Sequence, residues 1–409
     1  MRTITFILSI LLLGSTVAGQ NFHRRIPDLQ YARTELNRIQ FGPNGSEAFD
    51  RFYRKLDTVI LSGKGNLRIL QIGGSHVQGG SWSQQLRRDL LLVRYGLDGG
   101  RGLVFPYSAA GTNTPMGYTS SYTGTWSPDR CLKTPNTDLG VTGISITTDD
   151  PYSTFTISMS ERGPREWSPS FTFNSVDLLG YGNLEPIIIM GRDTVRSINA
   201  TPVKGRWRFD LPRFTEEITV GFHPASRGEF TVNGVYLDNP FSGITYSEVG
   251  INGASTSSYL RCDNFQRDLE FLSPDLVIFC ISINDIQGDF DSSHFISNYN
   301  RLVKMVNNAN PDCAILFTTS NDSYRHRAPN RNTVPAVNAF KTLTLKHNAG
   351  LWDLYEIMGG YGSMQNWEYS GYAQGDKIHF TPAGYDILGN LLFNALMDGY
   401  WQYKTSTSR

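Results

Sequence analysis

The feature that most constrains this chain is an alternating rhythm that stops and later resumes. Leu67–Ile72 reads as a strand, Gly73-Gly74-Ser75 as a tight turn, and Ser81–Tyr95 as a helix with Trp82, Leu86, Leu90 and Val93 on one face. Strand, glycine turn and helix in succession open an α/β sheet. From Gly99-Gly100-Arg101-Gly102 onward helix signals fade. Short strand-like pieces recur instead at Ile144–Thr148, Thr154–Met159, Ser170–Phe173, Pro186–Met190, Trp207–Leu211, Glu217–Phe222 and Glu229–Leu237, separated by Gly, Pro, Asn and Asp. Such spacing predicts a β-sandwich or jelly roll.

After Pro240 the α/β rhythm returns, with strands expected at Ile244–Val249, Leu276–Ile281 and Ala314–Thr318 and helices at Ser257–Phe271, Phe295–Asn308, Val334–His347 and Pro382–Leu396. Residues 106–240 are therefore expected to be an insertion between the first and second strands of one α/β domain, itself made of 67–105 and 241–409. Residues 20–66 are expected to form a helical lead-in, with Leu36, Ile39, Phe49, Phe52, Leu56 and Ile60 at helical spacing around the turn Gly42-Pro43-Asn44-Gly45.

Residues 1–19 set the expected compartment. Arg2 precedes an apolar run from Ile4 to Leu13, and small residues follow at Ser15, Ala18 and Gly19, the pattern of a cleavable export signal. The run is shorter than the roughly 20 residues that a bilayer span needs, so the mature chain is expected to be exported, periplasmic or extracellular, with no integral membrane segment. Its 37 basic and 37 acidic side chains cancel. A net charge of zero excludes a strong global pull toward nucleic acid. The cysteines, Cys131, Cys262, Cys280 and Cys313, are scattered and form no CxxC. Core packing is the first reading for Cys280 and Cys313, which sit in expected strands, and a Cys131–Cys262 bridge is compatible with an oxidising compartment. No HExxH or close His–acid cluster points to a metal, and no cofactor motif appears.

Ser75 is the first candidate for chemistry, because the carboxyl end of a first strand is where open α/β sheets build their sites. A helix N-cap is the equal alternative on that segment alone. Asp376 and His379 lie three residues apart just before the helix expected from Pro382, a spacing that lets the carboxylate hold one imidazole nitrogen while the other faces a nucleophile. A capped helix start with an exposed histidine fits the same string. Gly253 and Asn284 each follow an expected strand, so a backbone N–H and a side-chain amide can point at a developing oxyanion. Taken singly, each is more often a turn residue. His76 is read as structural. The loop after the 314–318 strand offers Asn321, Tyr324 and Arg325 as substrate contacts, or as a solvated loop. Trp126, Trp167 and Trp207 are read as core residues ahead of sugar platforms.

Ser75, Gly253, Asn284 and Asp376-x-x-His379, in that order and each after a strand, resemble the SGNH hydrolase (GDSL-type esterase) superfamily. The resemblance covers residues 67–105 and 241–400. It implies a flavodoxin-like three-layer domain, with Ser75 as nucleophile, His379 as base, Asp376 as its orienter, and the Ser75 N–H, Gly253 N–H and Asn284 amide as oxyanion hole. One departure stands out: Gly74 occupies the position where the family usually has Asp, which puts the rigidity of the turn in question. The strings Gly73-Gly74-Ser75-His76-Val77-Gln78 and Gly99-Gly100-Arg101-Gly102, followed by a β-rich insert, look like bacterial peptidoglycan or polysaccharide O-acetylesterases with an inserted carbohydrate-binding-like β-domain. That likeness implies an acylated glycan substrate. An O-acyltransferase using the same residues and a non-catalytic glycan-binding protein are the alternatives.

Overall fold

The computed structural model describes residues 22–159, 171–199 and 205–407. The expected export signal and Trp167 lie outside them.

Five parallel strands carry the α/β part: β1 (Asn66–Gly73), β2 (Gly243–Gly250), β3 (Leu276–Cys280), β4 (Ala314–Thr318) and β5 (Gly350–Trp352). Their order across the sheet is β2-β1-β3-β4-β5. This is the flavodoxin-like order, in which the chain reverses direction across the sheet between β1 and β3 and leaves a crevice at their carboxyl ends. Helices Glu47–Ser62, Ser81–Leu91 and Pro382–Thr407 pack together in one layer, and Phe265–Leu272, Ser292–Ala309 and Thr333–His347 in the other. Leu276–Phe279 and all of Ala314–Thr318 are buried, as strands covered on both faces must be.

Two antiparallel sheets lie between β1 and β2 in the sequence. One holds Thr119–Thr123, Thr154–Ser158, Pro186–Met190, Asp193–Arg196 and Glu217–Phe222; the other holds Gly102–Val104, Ser127–Arg130, Ile144–Thr148, Phe173–Gly182, Arg206–Thr215 and Phe230–Asp238. Phe222 of the first meets Phe230 of the second with ring centroids 5.4 Å apart, and Trp126 sits against Phe155 and Phe222. Trp126 and Trp207 are buried, as core residues rather than exposed platforms.

The long-range contacts explain where local pattern and structure part. The lead-in is only partly helical: Ile39–Gln40 pairs antiparallel with β5, and Asn37 accepts a hydrogen bond from the Trp352 indole. The expected Ser257–Phe271 helix is broken into Thr256–Tyr259 and Phe265–Leu272. Between them, Arg261 donates to the Cys131 carbonyl and the Asn264 N–H to the Leu139 carbonyl, so these groups bond across to the antiparallel region. The strand expected at Ser170–Phe173 instead begins at Phe173 and runs to Gly182. It continues through Asp177, whose buried carboxylate is matched across the register by Arg208 at 2.6 Å.

The hydrophobic core is continuous across the parallel and antiparallel regions. Polar ties reinforce that seam. Glu248 on β2 bonds both Arg87 and Arg101, the latter at 2.7 Å, with all three side chains buried. Burial pushes Arg101 down to about 10, which still leaves it charged at neutral pH. Asp268 accepts the Val141 N–H at 3.0 Å. Cys131 and Cys262 are buried free thiols in hydrogen-bonding contact across the same seam.

Candidate active site

Ser75 begins a short helix, Ser75–Gln78, two residues beyond the end of β1. The turn is held from several sides. The Tyr259 hydroxyl donates to the Gly73 carbonyl at 2.8 Å, and the Gly74 carbonyl accepts the N–H groups of Val77 and Gln78. A Cβ at Gly74 would stand 3.1 Å from Asn284 Nδ2 and 3.5 Å from the Ala254 carbonyl. The glycine therefore accommodates close approach of the amide, and the turn draws its order from Tyr259 and the helix start.

Asp376 and His379 arrive on the loop that precedes helix Pro382–Thr407. Ser75 Oγ lies 2.8 Å from His379 Nε2, and His379 Nδ1 lies 2.7 Å from Asp376 Oδ2. The other carboxylate oxygen of Asp376 accepts the N–H groups of Ile378 and His379 at 2.9 and 3.0 Å. Burial works to raise the Asp376 pKa. Hydrogen bonds from the His379 ring and from those two N–H groups outweigh it, and the carboxyl sits below its ordinary value. Lys377, between these residues, takes φ 55°, a left-handed conformation uncommon outside glycine. Such strain persists where surrounding contacts over-determine it. Here they are the Lys377 carbonyl accepting Tyr324 N–H at 3.0 Å, the Ile378 carbonyl accepting the Asn321 amide at 3.0 Å, and the His379 carbonyl accepting Gln374 N–H at 2.8 Å.

Gly253 lies beyond β2 with φ +86°, and a Cβ there would meet, among the described residues beyond its chain neighbours, Leu132 alone, at 3.6 Å. Among the described residues no hydrogen-bond acceptor is recorded for its N–H or for that of Ser75. Asn284, beyond β3, donates one amide hydrogen to the Ala254 carbonyl at 2.9 Å. A primary amide has two, so one remains beside Gly74. Asp285 fixes this loop by accepting the Thr256 hydroxyl at 2.6 Å and the Thr256 N–H. Sequence reading passed over Asp285, since only the fold brings β2 and β3 loops together.

The three expected substrate contacts are otherwise engaged. Asn321 is buried and ties the His379 loop; the Tyr324 ring lies under the Lys377 ammonium at 4.9 Å; Arg325 faces Asp289 at 3.5 Å. Among the described residues no group of three or more His, Cys, Asp or Glu is placed to hold a metal ion, and no helix is long and apolar enough to cross a membrane.

The GDSL-like lipase/acylhydrolase family model matches residues 218–387. A solved structure titled "Peptidoglycan O-acetylesterase in action, 5 min" superposes with a TM-score of 0.73 at 22% identity, covering 89% of this chain and 99% of that one. The chain has the SGNH hydrolase fold. The lipase/acylhydrolase from Enterococcus faecalis matches 39% of this chain and 77% of its own, at 20% identity and a TM-score of 0.31. No curated protein matches. The family match over residues 218–387, on a fold shared along most of the chain, supports an esterase-class enzyme acting on carboxylic ester bonds.

Proposed function

We propose that the chain is an exported serine esterase that removes acetyl or another short acyl group from a glycan, peptidoglycan or another polysaccharide. The observation that carries this reading is the continuous Ser75–His379–Asp376 relay at 2.8 and 2.7 Å. Ser75 Oγ attacks the ester carbonyl carbon while His379 Nε2 takes its proton, and Asp376 holds the ring and favours the imidazolium that results. The tetrahedral oxyanion is met by the N–H groups of Ser75 and Gly253 and by the free Asn284 N–H. Collapse expels the sugar alkoxide, which takes the proton from His379. Water then attacks the acyl-enzyme with His379 again as base, releasing the carboxylic acid and restoring Ser75. No cofactor enters the balance. An intact relay also argues against the non-catalytic alternative.

The glycan half of the proposal is supported by a cavity of about 310 Å³ lined by Asn113, Thr114, Pro115, Met116, Thr119 and Ser120. Asn113 links it to the site, accepting the Gln78 amide at 3.2 Å and the Asn252 amide at 2.8 Å. Hydroxyls and amides beside Pro and Met suit an uncharged sugar. We place the catalytic unit at 67–105 and 241–409 and an inserted carbohydrate-binding-like β-sandwich at 106–240, with Gly102–Val104 pairing to the latter's sheet. The test is acetate release from an O-acetylated polysaccharide by the purified chain and by Ser75→Ala. Release by the parent alone supports the reading; no release, with 4-nitrophenyl acetate also intact, rejects it.

A further inference from the structure

His76 follows Ser75 directly, yet its ring turns into the protein and is buried. Its Nδ1 lies 2.8 Å from the hydroxyl of Tyr385, on the first turn of the helix that follows His379. The same ring lies against the His379 ring, centroids 5.0 Å apart and planes at 33°, and meets Phe380 at 6.1 Å. One side chain thus spans the two chain segments whose meeting creates the Ser75–His379 hydrogen bond.

The protonation chemistry of this contact is legible. Burial pushes the Tyr385 hydroxyl up, so the phenol keeps its proton and donates it to Nδ1. The hydrogen of His76 is then on Nε2, which has no hydrogen-bond partner among the described residues. His76 lines a cavity of about 20 Å³ with Ser282, Thr319 and Ser320. That is room for about one water among hydroxyls. Burial, with His379 adding to it and Asp376 opposing, pushes His76 down to about 3. His379, Asp376 and Tyr385 act on it directly, and Cys280 lines the same cavity.

We infer that His76 is a positioning residue whose ring, tied through Nδ1 to Tyr385, clamps the Ser75 turn to the His379 loop and keeps an uncharged face against the His379 ring. This rests on the roles of Ser75 and His379 proposed above. A neutral neighbour matters because His379 becomes an imidazolium twice per turnover, and a second cation at that distance would oppose it. The clamp matters because a small misplacement of reacting groups can cost about 100-fold in rate.

The test uses Tyr385→Phe, His76→Phe and the double variant in the full-length chain. Readouts are kcat and KM on 4-nitrophenyl acetate, the rate of fluorophosphonate labelling, and thermal midpoint. Tyr385→Phe removes one hydroxyl and keeps the ring packing. The clamp predicts a fall in kcat and labelling rate of between about tenfold and 100-fold, with KM within about twofold, and a double variant no slower than the slower single one. Wild-type labelling by folded Tyr385→Phe, or losses that multiply in the double variant, would overturn it. Nitrogen-15 NMR of the unaltered protein supplies an independent reading: the Nε2–H tautomer of His76 should persist from pH 8 to pH 5, and an imidazolium there contradicts the inference. If the unaltered chain neither hydrolyses the ester nor takes the label, the proposed function fails and not the clamp alone.

Discussion

The parallel sheet and the antiparallel strands bury comparable polar groups and use them differently. In the antiparallel region, Asp177 faces Arg208 across a register pair, Asn233 donates to the Asp138 carbonyl, and the Thr142 hydroxyl donates to the Asn233 carbonyl at 2.6 Å. Each such bond joins strand to strand or strand to loop. At the carboxyl edge of the parallel sheet, Asp285, Asn321 and Tyr259 are equally engaged, but the backbone and side chains they hold belong to the loops of Gly253, His379 and Ser75. Ties of one kind hold a surface together; ties of the other aim groups at a point. The difference follows from topology, because parallel strands deliver all their outgoing loops to one edge, and hairpin-connected strands alternate ends.

The sharpest way to break this comparison is at the edge. Ser75→Ala or His379→Ala should each drop turnover of 4-nitrophenyl acetate by about 10⁴-fold or more, with the thermal midpoint nearly unchanged. Asp210→Ala, on the antiparallel side, should leave the same rate intact. A matching loss there would place chemistry in both regions.

Glu248→Ala tests whether the regions stand apart. It leaves Arg87 and Arg101 buried without their shared carboxylate, and removing one partner of a buried pair costs about 3–5 kcal/mol. The continuous core predicts that unfolding, followed by circular dichroism and by tryptophan fluorescence, remains one coincident transition shifted to lower denaturant. Two separated transitions would show independent units.

Asn284→Ala should cost about 10²–10³ in kcat, roughly 2.7–4 kcal/mol, with little change in KM, since an oxyanion donor acts as charge develops. An unaltered kcat removes Asn284 from the site.

A smaller effect concerns pH. His76 is held at about 3 in the folded chain, below the roughly 6.5 of an unfolded imidazole. The unfolded chain therefore binds the proton first on acidification, and the stability tied to a neutral His76 is complete above pH 6.5 and drains as pH falls toward 3. Between pH 6.5 and pH 5 the unaltered protein should lose about 2 kcal/mol more than His76→Phe. Asp98 and Asp322, both raised by burial to about 6, pull the other way in both proteins and cancel in the difference. Parallel pH curves would contradict the assignment.

What the sequence made legible divides along the same line. Glu217–Phe222 and Ala314–Thr318 match their strands end to end, being short runs bounded by turns or polar residues. Ser75, Asp376 and His379 stood out through their order along the chain, each segment alone having an equal structural reading, and the fold brings the three side chains together. Phe173–Gly182 was not, since a buried Asp177 reads as a loop until Arg208 is known to face it. Gly350–Trp352 is too short to announce itself, and the His76–Tyr385 bond joins residues 309 apart. Asn321 and Tyr324 stood out as polar and aromatic residues on the functional edge; their role as supports of the His379 loop exists only in the folded chain.

The most direct measurement of the central claim is covalent. The folded chain is treated with a serine-directed fluorophosphonate, digested, and mapped by mass spectrometry. The relay at 2.8 and 2.7 Å predicts a single phosphonylated residue, Ser75, with labelling abolished in Ser75→Ala and strongly slowed in His379→Ala. Labelling at another serine, or labelling that persists at the parent rate in Ser75→Ala, would contradict the account.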